Sequence, residues 1–394
     1  EICVLIDGSP GQLSIFNMNS TGDVVEQIVV NAGNTPVAIT TGDLDGDSLG
    51  TNDIAIACAD GTVTVLINDD NDPSDSFIIS SFDINGVAAS VPTSIAAAQL
   101  DTFGSSLELV VGLDNGDNTG TIAMFSSSPL TGGGFSGSGN QNTSAPVSTI
   151  DPSEEEKDQD IPFAAGKSDG KTVVASRISS ALSTTSIQFD EYNAGNGLRD
   201  QILRDFDADG DVDVMISCES DNSLVLLEQT SAGVFNFPVS MNSGESPRRM
   251  TSGDFNGDGD QDIAVVTTDQ TGSPQVQIFD NSGSFIFTTS EVAQGEAPSL
   301  VSSGDIDGDG LDDLVTLGNG LLLNGLGSSI DIRAFCPCYG DVDCDGSIDI
   351  EDLLRILGEF GCNGNCSTDI NGDRQVDIED LLVIIGRWNA CSND

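Results

Sequence analysis

Gly253-Asp-Phe-Asn-Gly-Asp-Gly-Asp-Gln-Asp262 leads straight into the apolar run that starts at Ile263. An oxygen-rich loop thus feeds a segment with the length and composition of a strand. Within the loop, Asp254, Asn256, Asp258 and Asp262 fall at steps of two, two and four. The same frame returns at Asp205, Asp207, Asp209 and Asp213, and at Asp305, Asp307, Asp309 and Asp313. It returns once more, two residues longer, at Asp43, Asp45, Asp47 and Asp53. Hard divalent cations take about six to eight oxygens, and Ca²⁺ accepts the irregular geometry of a short loop. Glycine at the sixth place (Gly210, Gly259, Gly310) lets the backbone curl around such an ion.

Composition narrows the function classes. The chain has 394 residues and a formal net charge of −52, which repels nucleic acid and anionic membrane alike. It contains no histidine, so a Ser-His-Asp triad, a Cys-His pair and a histidine zinc site are all excluded. No apolar run reaches the roughly 18 residues that a membrane helix needs. The abrupt apolar start at Ile2 to Ile6 reads as a processed, mature N-terminus. Six of the nine cysteines lie between Cys336 and Cys391, which suggests disulfides and an oxidising compartment.

Working outward from the acidic loops, the body reads as an internal repeat. Each unit runs strand, acidic loop, strand, turn, strand, then a more variable fourth strand. Around the longer loop, Pro36 to Thr41 enters it, Ile54-Ala-Ile-Ala-Cys58 leaves it, Asp60-Gly61 turns, and Thr62 to Ile67 returns. Hairpins of second and third strands are expected to begin near Ile2, Ile54, Leu107, Thr172, Val212, Ile263 and Leu314. Seven such units without helical periodicity predict a mostly β chain, a seven-bladed β-propeller over residues 1–335. The first blade lacks its first strand. Residues 329–335 alternate like a strand and either complete that blade or form the outer strand of the last one.

Two loops have lost their oxygens. Gln99-Leu-Asp101-Thr-Phe103 retains few, and Lys167-Ser-Asp169-Gly-Lys171 puts ammonium groups at the ligand places, so neither is expected to hold calcium. Residues 131–160, Gly/Ser-rich and then acidic, read as a long excursion between the third and fourth blades. Cys58 and Cys218 each stand five residues after the last acid of their loops and are expected to be free, buried thiols.

The loops at 205–213, 253–262 and 304–313 resemble the FG-GAP or VCBS repeat, which builds integrin-type propellers. That resemblance implies Ca²⁺ held by the side chains at places one, three, five and nine. It adds the backbone carbonyl of place seven, which is Asp211, Asp260 or Leu311 here. Residues 336–394 resemble a dockerin, a small α module with paired calcium loops. The first loop would supply Asp341, Asp343, Asp345, Asp349 and Asp352 with the Ser347 carbonyl. The second would supply Asp369, Asn371, Asp373, Asp377 and Asp380 with the Gln375 carbonyl. Each loop precedes the same Ile-Glu-Asp-Leu-Leu sequence, at Ile350 and at Ile378. Arg374 replaces the turn glycine of the second loop, and Ile350-Glu351 and Ile378-Glu379 replace the hydroxyl residues often used toward a cohesin. Within this module Cys362 is expected to pair with Cys366, and Cys391 with Cys336 or Cys338.

About six calcium sites, no catalytic site and an extracellular, secreted setting follow as expectations. The leading reading is a non-catalytic structural protein that assembles with itself through propeller and tail contacts; Cys3, odd in number and near the seam, is expected to bond to the tail module or to another chain. The alternatives are an adhesion subunit anchored to a cohesin-like scaffold, and a calcium-dependent polysaccharide lyase or hydrolase acting on extracellular glycan. One Trp, two Tyr and no His argue against the last.

Overall fold

The computed structural model describes residues 2–18, 24–46, 52–68, 77–84, 90–100, 106–128, 134–153, 161–179, 185–231, 233–236, 238–269, 271–283, 285–292, 297–306, 311–318, 329–333, 348, 350–362, 368, 375–386 and 388. Strand formation follows the apolar runs that leave the acidic loops. Ile54-Ala-Ile-Ala-Cys58 and Val214-Met-Ile-Ser-Cys218 are buried throughout, as expected for strands paired at both edges and covered on both faces.

Among the described residues the strands form seven main antiparallel sheets, each a meander in chain order. The first holds β1 (Ile2–Ile6), β2 (Gly11–Met18) and β3 (Val24–Gly33). The second holds β4 (Pro36–Gly42), β5 (Asp53–Cys58), β6 (Thr62–Asn68) and β7 (Phe77–Asp83). The third holds β8 (Val91–Ala98), β9 (Glu108–Asp114), β10 (Gly120–Ser128) and β11 (Gly134–Thr143). The fourth holds β12 (Val147–Pro152), β13 (Phe163–Lys167), β14 (Lys171–Ser179) and β15 (Thr185–Asn193). The fifth begins with β16 (Leu198–Arg204), β17 (Asp213–Cys218) and β18 (Ser223–Leu227). A side hairpin of β19 (Gln229–Ser231) and β20 (Val234–Phe235) precedes its last strand, β21 (Val239–Asn242). The sixth holds β22 (Met250–Gly253), β23 (Asp262–Thr268), β24 (Pro274–Asn281) and β25 (Phe287–Val292). The seventh holds β26 (Pro298–Gly304), β27 (Asp313–Gly318) and β28 (Ser329–Arg333). Helices α1 (Ile350–Glu359) and α2 (Ile378–Gly386) follow.

The repeat extends below the level of strands. A one-residue register shift recurs at the start of the first strand in the second, third, fourth, fifth and seventh sheets, for example between Pro36 and Ala38. Such a bulge re-aims the strand entry, and its recurrence marks one unit copied along the chain.

Two compact units are distinguished. One comprises Glu1–Asn17, Glu26–Asp205 and Asp209–Asn242; the other comprises Met18–Val25, Phe206–Ala208 and Ser243–Asp394. Inside the first, neighbouring sheets share cores. Ala55, Ala57, Val63 and Val65 of the second sheet pack with Ile95, Leu109 and Val111 of the third. Phe163, Ala165 and Val173 of the fourth join Ile122 and Val110 of the third. Inside the second unit, Phe255, Ala264, Val266 and Ile278 pack with Leu314. The helices enclose a separate small core of Ile348, Ile356, Val376 and Ile384, with Leu353, Leu381 and Cys362 against it.

Two expectations are corrected and one open choice is settled. Residues 134–143 and 147–152 of the supposed excursion are strands β11 and β12, and only 154–160 of its acidic part lies outside the described residues. The Gly/Ser-rich β11 pairs through its backbone with β10 from Gly120 to Ser128, a ladder that needs no apolar side chains. Thr172 lies in the third strand of its sheet, the second being β13. Residues 167–171 are therefore the β13–β14 turn, not a ligand loop. Of the two readings of 329–335, the second holds for the described residues: β28 pairs with β27 from Leu314↔Arg333 to Gly318↔Ser329 and is the outer strand of the seventh sheet.

Candidate metal centres

Every acidic loop joins the first strand of a sheet to the second, and all close in the same manner. The last acid of the frame is the first residue of the second strand and is buried: Asp53, Asp213, Asp262 and Asp313 are each at most 1% exposed. Each carboxylate accepts backbone N–H groups, and those of Asp53 and Asp262 do so from both the loop and the third strand. Asp53 Oδ2 accepts from Leu44 N (2.9 Å) and Asp45 N (3.2 Å), and its Oδ1 accepts from Asn68 N (2.8 Å) at the end of β6. Asp262 accepts from Phe255 N (3.1 Å) and from Asn281 N (2.7 Å) at the end of β24. Asp213 accepts from Gln229 N (2.9 Å), and Asp313 from Ile306 N (2.8 Å). A buried carboxylate thereby satisfies loop donors that would otherwise be orphaned.

This closing role was missed by reading the frame as ligands alone. Glu108, the first residue of β9, performs it in a loop without the frame: it is buried and accepts from Leu100 N (2.8 Å). The signal in the sequence is an acid at the head of the second strand in five sheets, as in Glu108-Leu-Val-Val and Asp262-Ile-Ala-Val.

In two of the loops three acids converge on one another, and in one of these the closing acid Asp53 is among them. Carboxylate oxygens of Asp205, Asp207 and Asp209 lie within 4.8 Å of one another, and so do those of Asp43, Asp45 and Asp53. Among the described residues these are the acidic groups that come together so closely. Asp211 and Asp213 stand outside the first triad. In the sixth sheet, Asp254, Asp258, Asp260 and Asp262 do not form such a triad; place three is Asn256, whose Nδ2 donates to Asp280 Oδ1 (2.7 Å). Asp305, Leu311 and Asp313 of the seventh sheet are described, with Leu311 buried. The ligand positions Asp47, Asp307, Asp309, Asp341, Asp343, Asp345, Ser347, Asp349, Asp369, Asn371 and Asp373 lie outside the described residues.

Backbone geometry curls each loop around its place-one acid. Gly210 N donates to Asp205 Oδ2 (2.9 Å), and Gly259 N to Asp254 Oδ2 (3.0 Å). Both glycines are left-handed, at φ 98° and 86°. Place four is left-handed as well: Gly46 and Gly257 occupy it without cost, whereas Ala208 adopts φ 60°.

Oxygen-only donors in a tight loop fit a hard divalent cation. Two carboxylate charges at such separations repel by roughly 3 kcal/mol per pair at an effective dielectric of about 20, so an ion among them removes a real cost. The closing acids feel their surroundings too. Burial pushes Asp53 up to about 6 and Asp262 up to about 7, against hydrogen bonds that pull them down.

In the tail, Asp352 and Asp380 are fully buried. Asp377 caps α2 by accepting from Glu379 N (2.7 Å), while Asp380 Oδ2 accepts from Asp377 N (2.8 Å). That reciprocal pair is a capping box, so these two predicted ligands also start the helix. Gln375 is exposed.

The cysteines and lysine singled out by sequence share one structural place, the end of the second strand. Cys58 and Cys218 are free and buried there, and burial raises the Cys218 thiol to about 11, leaving it protonated at neutral pH. Lys167 ends β13 in the same way. Its buried Nζ donates to Ser144 Oγ (2.9 Å) and Glu191 Oε2 (2.7 Å), and hydrogen bonding to Lys167 and then Lys171 holds Glu191 below the usual carboxylate range. Cys3 is a half-buried thiol. Cys362 is disulfide-bonded; Cys366, its expected partner, lies outside the described residues, as do Cys336, Cys338 and Cys391.

Residues 205–265 and 254–316 match the model of the FG-GAP-like repeat. No curated protein matches the chain. Among solved structures, a functionally unknown protein from Desulfotomaculum acetoxidans superposes with a TM-score of 0.53 at 12% identity, over 81% of this chain and 90% of that one. The Dos1 propeller does so with a TM-score of 0.52 at 12% identity, over 85% of this chain and 75% of that one. At such identity the likeness is one of fold. The chain thus carries FG-GAP-like repeats in a mostly β, propeller-type fold.

Proposed function

We propose that this is a non-catalytic calcium-binding protein, a seven-bladed FG-GAP propeller with a dockerin-like, disulfide-stapled tail at 336–394, working outside the cell. The convergence of Asp205, Asp207 and Asp209 within 4.8 Å is the observation that carries the reading. Asp43, Asp45 and Asp53 form its counterpart. Calcium would be held by these triads and, through the resemblance, by the loops at 254–262, 305–313 and in the tail. The ion's task would be structural: it offsets the repulsion and locks the turn from first to second strand. Direct titration of chelator-washed protein with Ca²⁺ by calorimetry tests this. Binding is expected, and Asp207→Asn is expected to abolish one site. Absence of heat, together with no calcium by elemental analysis of untreated protein, would overturn it.

Assembly with further copies is the favoured use of the tail. What supports it is an apolar stripe on each helix: Ile350, Leu354 and Leu357 on α1 and Ile378, Leu382 and Ile385 on α2 are each about half exposed or more. Sedimentation at millimolar calcium distinguishes the readings. Large species are expected for self-assembly, whereas a strict monomer favours anchoring to a cohesin-like scaffold.

A further inference from the structure

The longest uncharged stretch of the chain lies between Asp117 and Asp151, where no Asp, Glu, Lys or Arg occurs. Charged residues are 19% of the whole, so a stretch of this length would ordinarily carry several. In the fold it becomes the outer hairpin of the third sheet, β10 and β11, and the entry to β12. β11, Gly134-Phe-Ser-Gly-Ser-Gly-Asn-Gln-Asn-Thr143, stands at the edge of its sheet. It pairs with β10, and among the described residues no strand takes its other side. Ser136, Gly137, Ser138, Asn140 and Asn142 are exposed.

Such an edge offers backbone N–H and C=O groups to another strand, and proteins ordinarily blunt it with a charge, a proline or shortness. The other outer strands are blunted in this way. Glu26 stands in β3, Asp83 in β7, Asp190 and Glu191 in β15, Glu291 in β25 and Asp331 in β28, while β21 has only four residues. β11 has ten residues, no charge and no proline. Its one interruption is a bulge at Ser138, between the partners of Met124 and Phe125. Gly137 beside it is not left-handed, and a Cβ there would meet nothing within 4 Å, so neither its backbone nor its own packing calls for glycine. Glycine inside a strand often marks the close approach of another backbone.

Electrostatics select the occupant. Copies of a chain with a net charge of −52 repel one another, and they do so least where neither presents a charge. A basic partner would be drawn to the acidic loops instead. We propose that β11 pairs edge to edge with β11 of a second copy, antiparallel about a two-fold axis near the middle of the strand, so that two third sheets become one. A contact of this isologous kind sets the same edge against itself. It adds a second contact to the self-assembly reading above and draws on neither calcium nor the tail.

Sedimentation over rising protein concentration tests it. The full chain is compared with the full chain carrying Leu354→Asp and Leu382→Asp, which charge the exposed stripe of each tail helix. Association is expected in both, stopping at dimers in the second. Added salt should favour it by screening like charges, whereas salt would weaken a contact between opposite charges. Asn140→Asp changes one exposed group near the axis and is expected to weaken dimerisation by about tenfold or more, and Asn140→Lys likewise. An equal mixture of the two variants should restore it. The backbone amides of 136–142 should exchange more slowly as dimers form. An unchanged dimer in Asn140→Asp, exchange at 136–142 that ignores concentration, or loss of all association in the tail variant overturns the edge pairing while leaving tail-driven assembly standing. A native chain that is monomeric at every concentration overturns both and leaves the calcium reading untouched.

Discussion

The loop before β9 and the loop before β23 end alike and begin differently. Both close on a buried acid that takes the N–H of the second loop residue, Glu108 from Leu100 at 2.8 Å and Asp262 from Phe255 at 3.1 Å. Ahead of Asp262 stand Asp254, Asn256 and Asp258; ahead of Glu108 stand Gln99, Asp101 and Phe103. The shared part belongs to the fold: a strand-to-strand turn leaves backbone donors pointing inward, and a carboxylate meets them. The unshared part is the set of oxygens that the proposed ion would use. The closing contact is therefore found with and without that set.

The largest break in this comparison comes from removing calcium. If the sites bind as proposed, at free calcium about 100 times Kd each adds about 2.7 kcal/mol, and a chelated sample is expected to melt tens of degrees lower. A melting curve unchanged in excess chelator would show that the frame residues serve the fold as Glu108 does. Next comes loss of a closing acid. Asp262→Ala and Glu108→Ala are each expected to cost about 3 kcal/mol, because each leaves backbone donors buried and unmet. Urea denaturation should find the Glu108→Ala loss equal with and without calcium. The Asp262→Ala loss should be larger with it.

Proton binding sharpens the contrast further. Asp53 at about 6 and Asp262 at about 7 are raised chiefly by burial from an ordinary value of 3.8. In metal-free protein the folded chain holds these protons where the unfolded chain has released them. Stability is therefore fullest below about pH 4 for these groups and falls as pH rises through 6 and 7. A bound cation holds both groups as carboxylates in the folded chain too, so above about pH 5 they then contribute no slope. Melting temperatures should fall from pH 5 to pH 8 in chelator and by less in calcium. The smallest effect is local: Ala208 stands left-handed at φ 60°, where Gly46 and Gly257 stand in sister loops. Ala208→Gly should stabilise by up to about 1 kcal/mol, since relief of strain outweighs the added freedom of the unfolded chain. A lower denaturation midpoint would reject that account.

Much of the arrangement was legible from residue order. Asp-Gly at 60–61 turns the β5–β6 hairpin, and the apolar runs after Asp53, Asp213 and Asp262 are the second strands. The fourth sheet was harder to read. Its first-to-second connection carries no acidic frame, and Lys167-Ser-Asp169-Gly-Lys171, which resembles one by position, is the next turn along. The Gly/Ser-rich β11 was hidden for a related reason: it is an outer strand held by its backbone, with mostly exposed side chains that carry no periodic signal.

Local order alone settled which residues bear oxygen, where the chain turns and how often the unit recurs, because steps of two and four and Asp-Gly turns act over a few residues. Only the folded chain could show which acids brace and which gather, and that Asp53 does both. Asp262 is drawn to the end of β24, nineteen residues on at Asn281, and Asn281 in turn to Phe206, seventy-five residues back. Those partners are chosen by strand pairing and by the packing of sheets, and such distances leave no trace in the spacing of a loop.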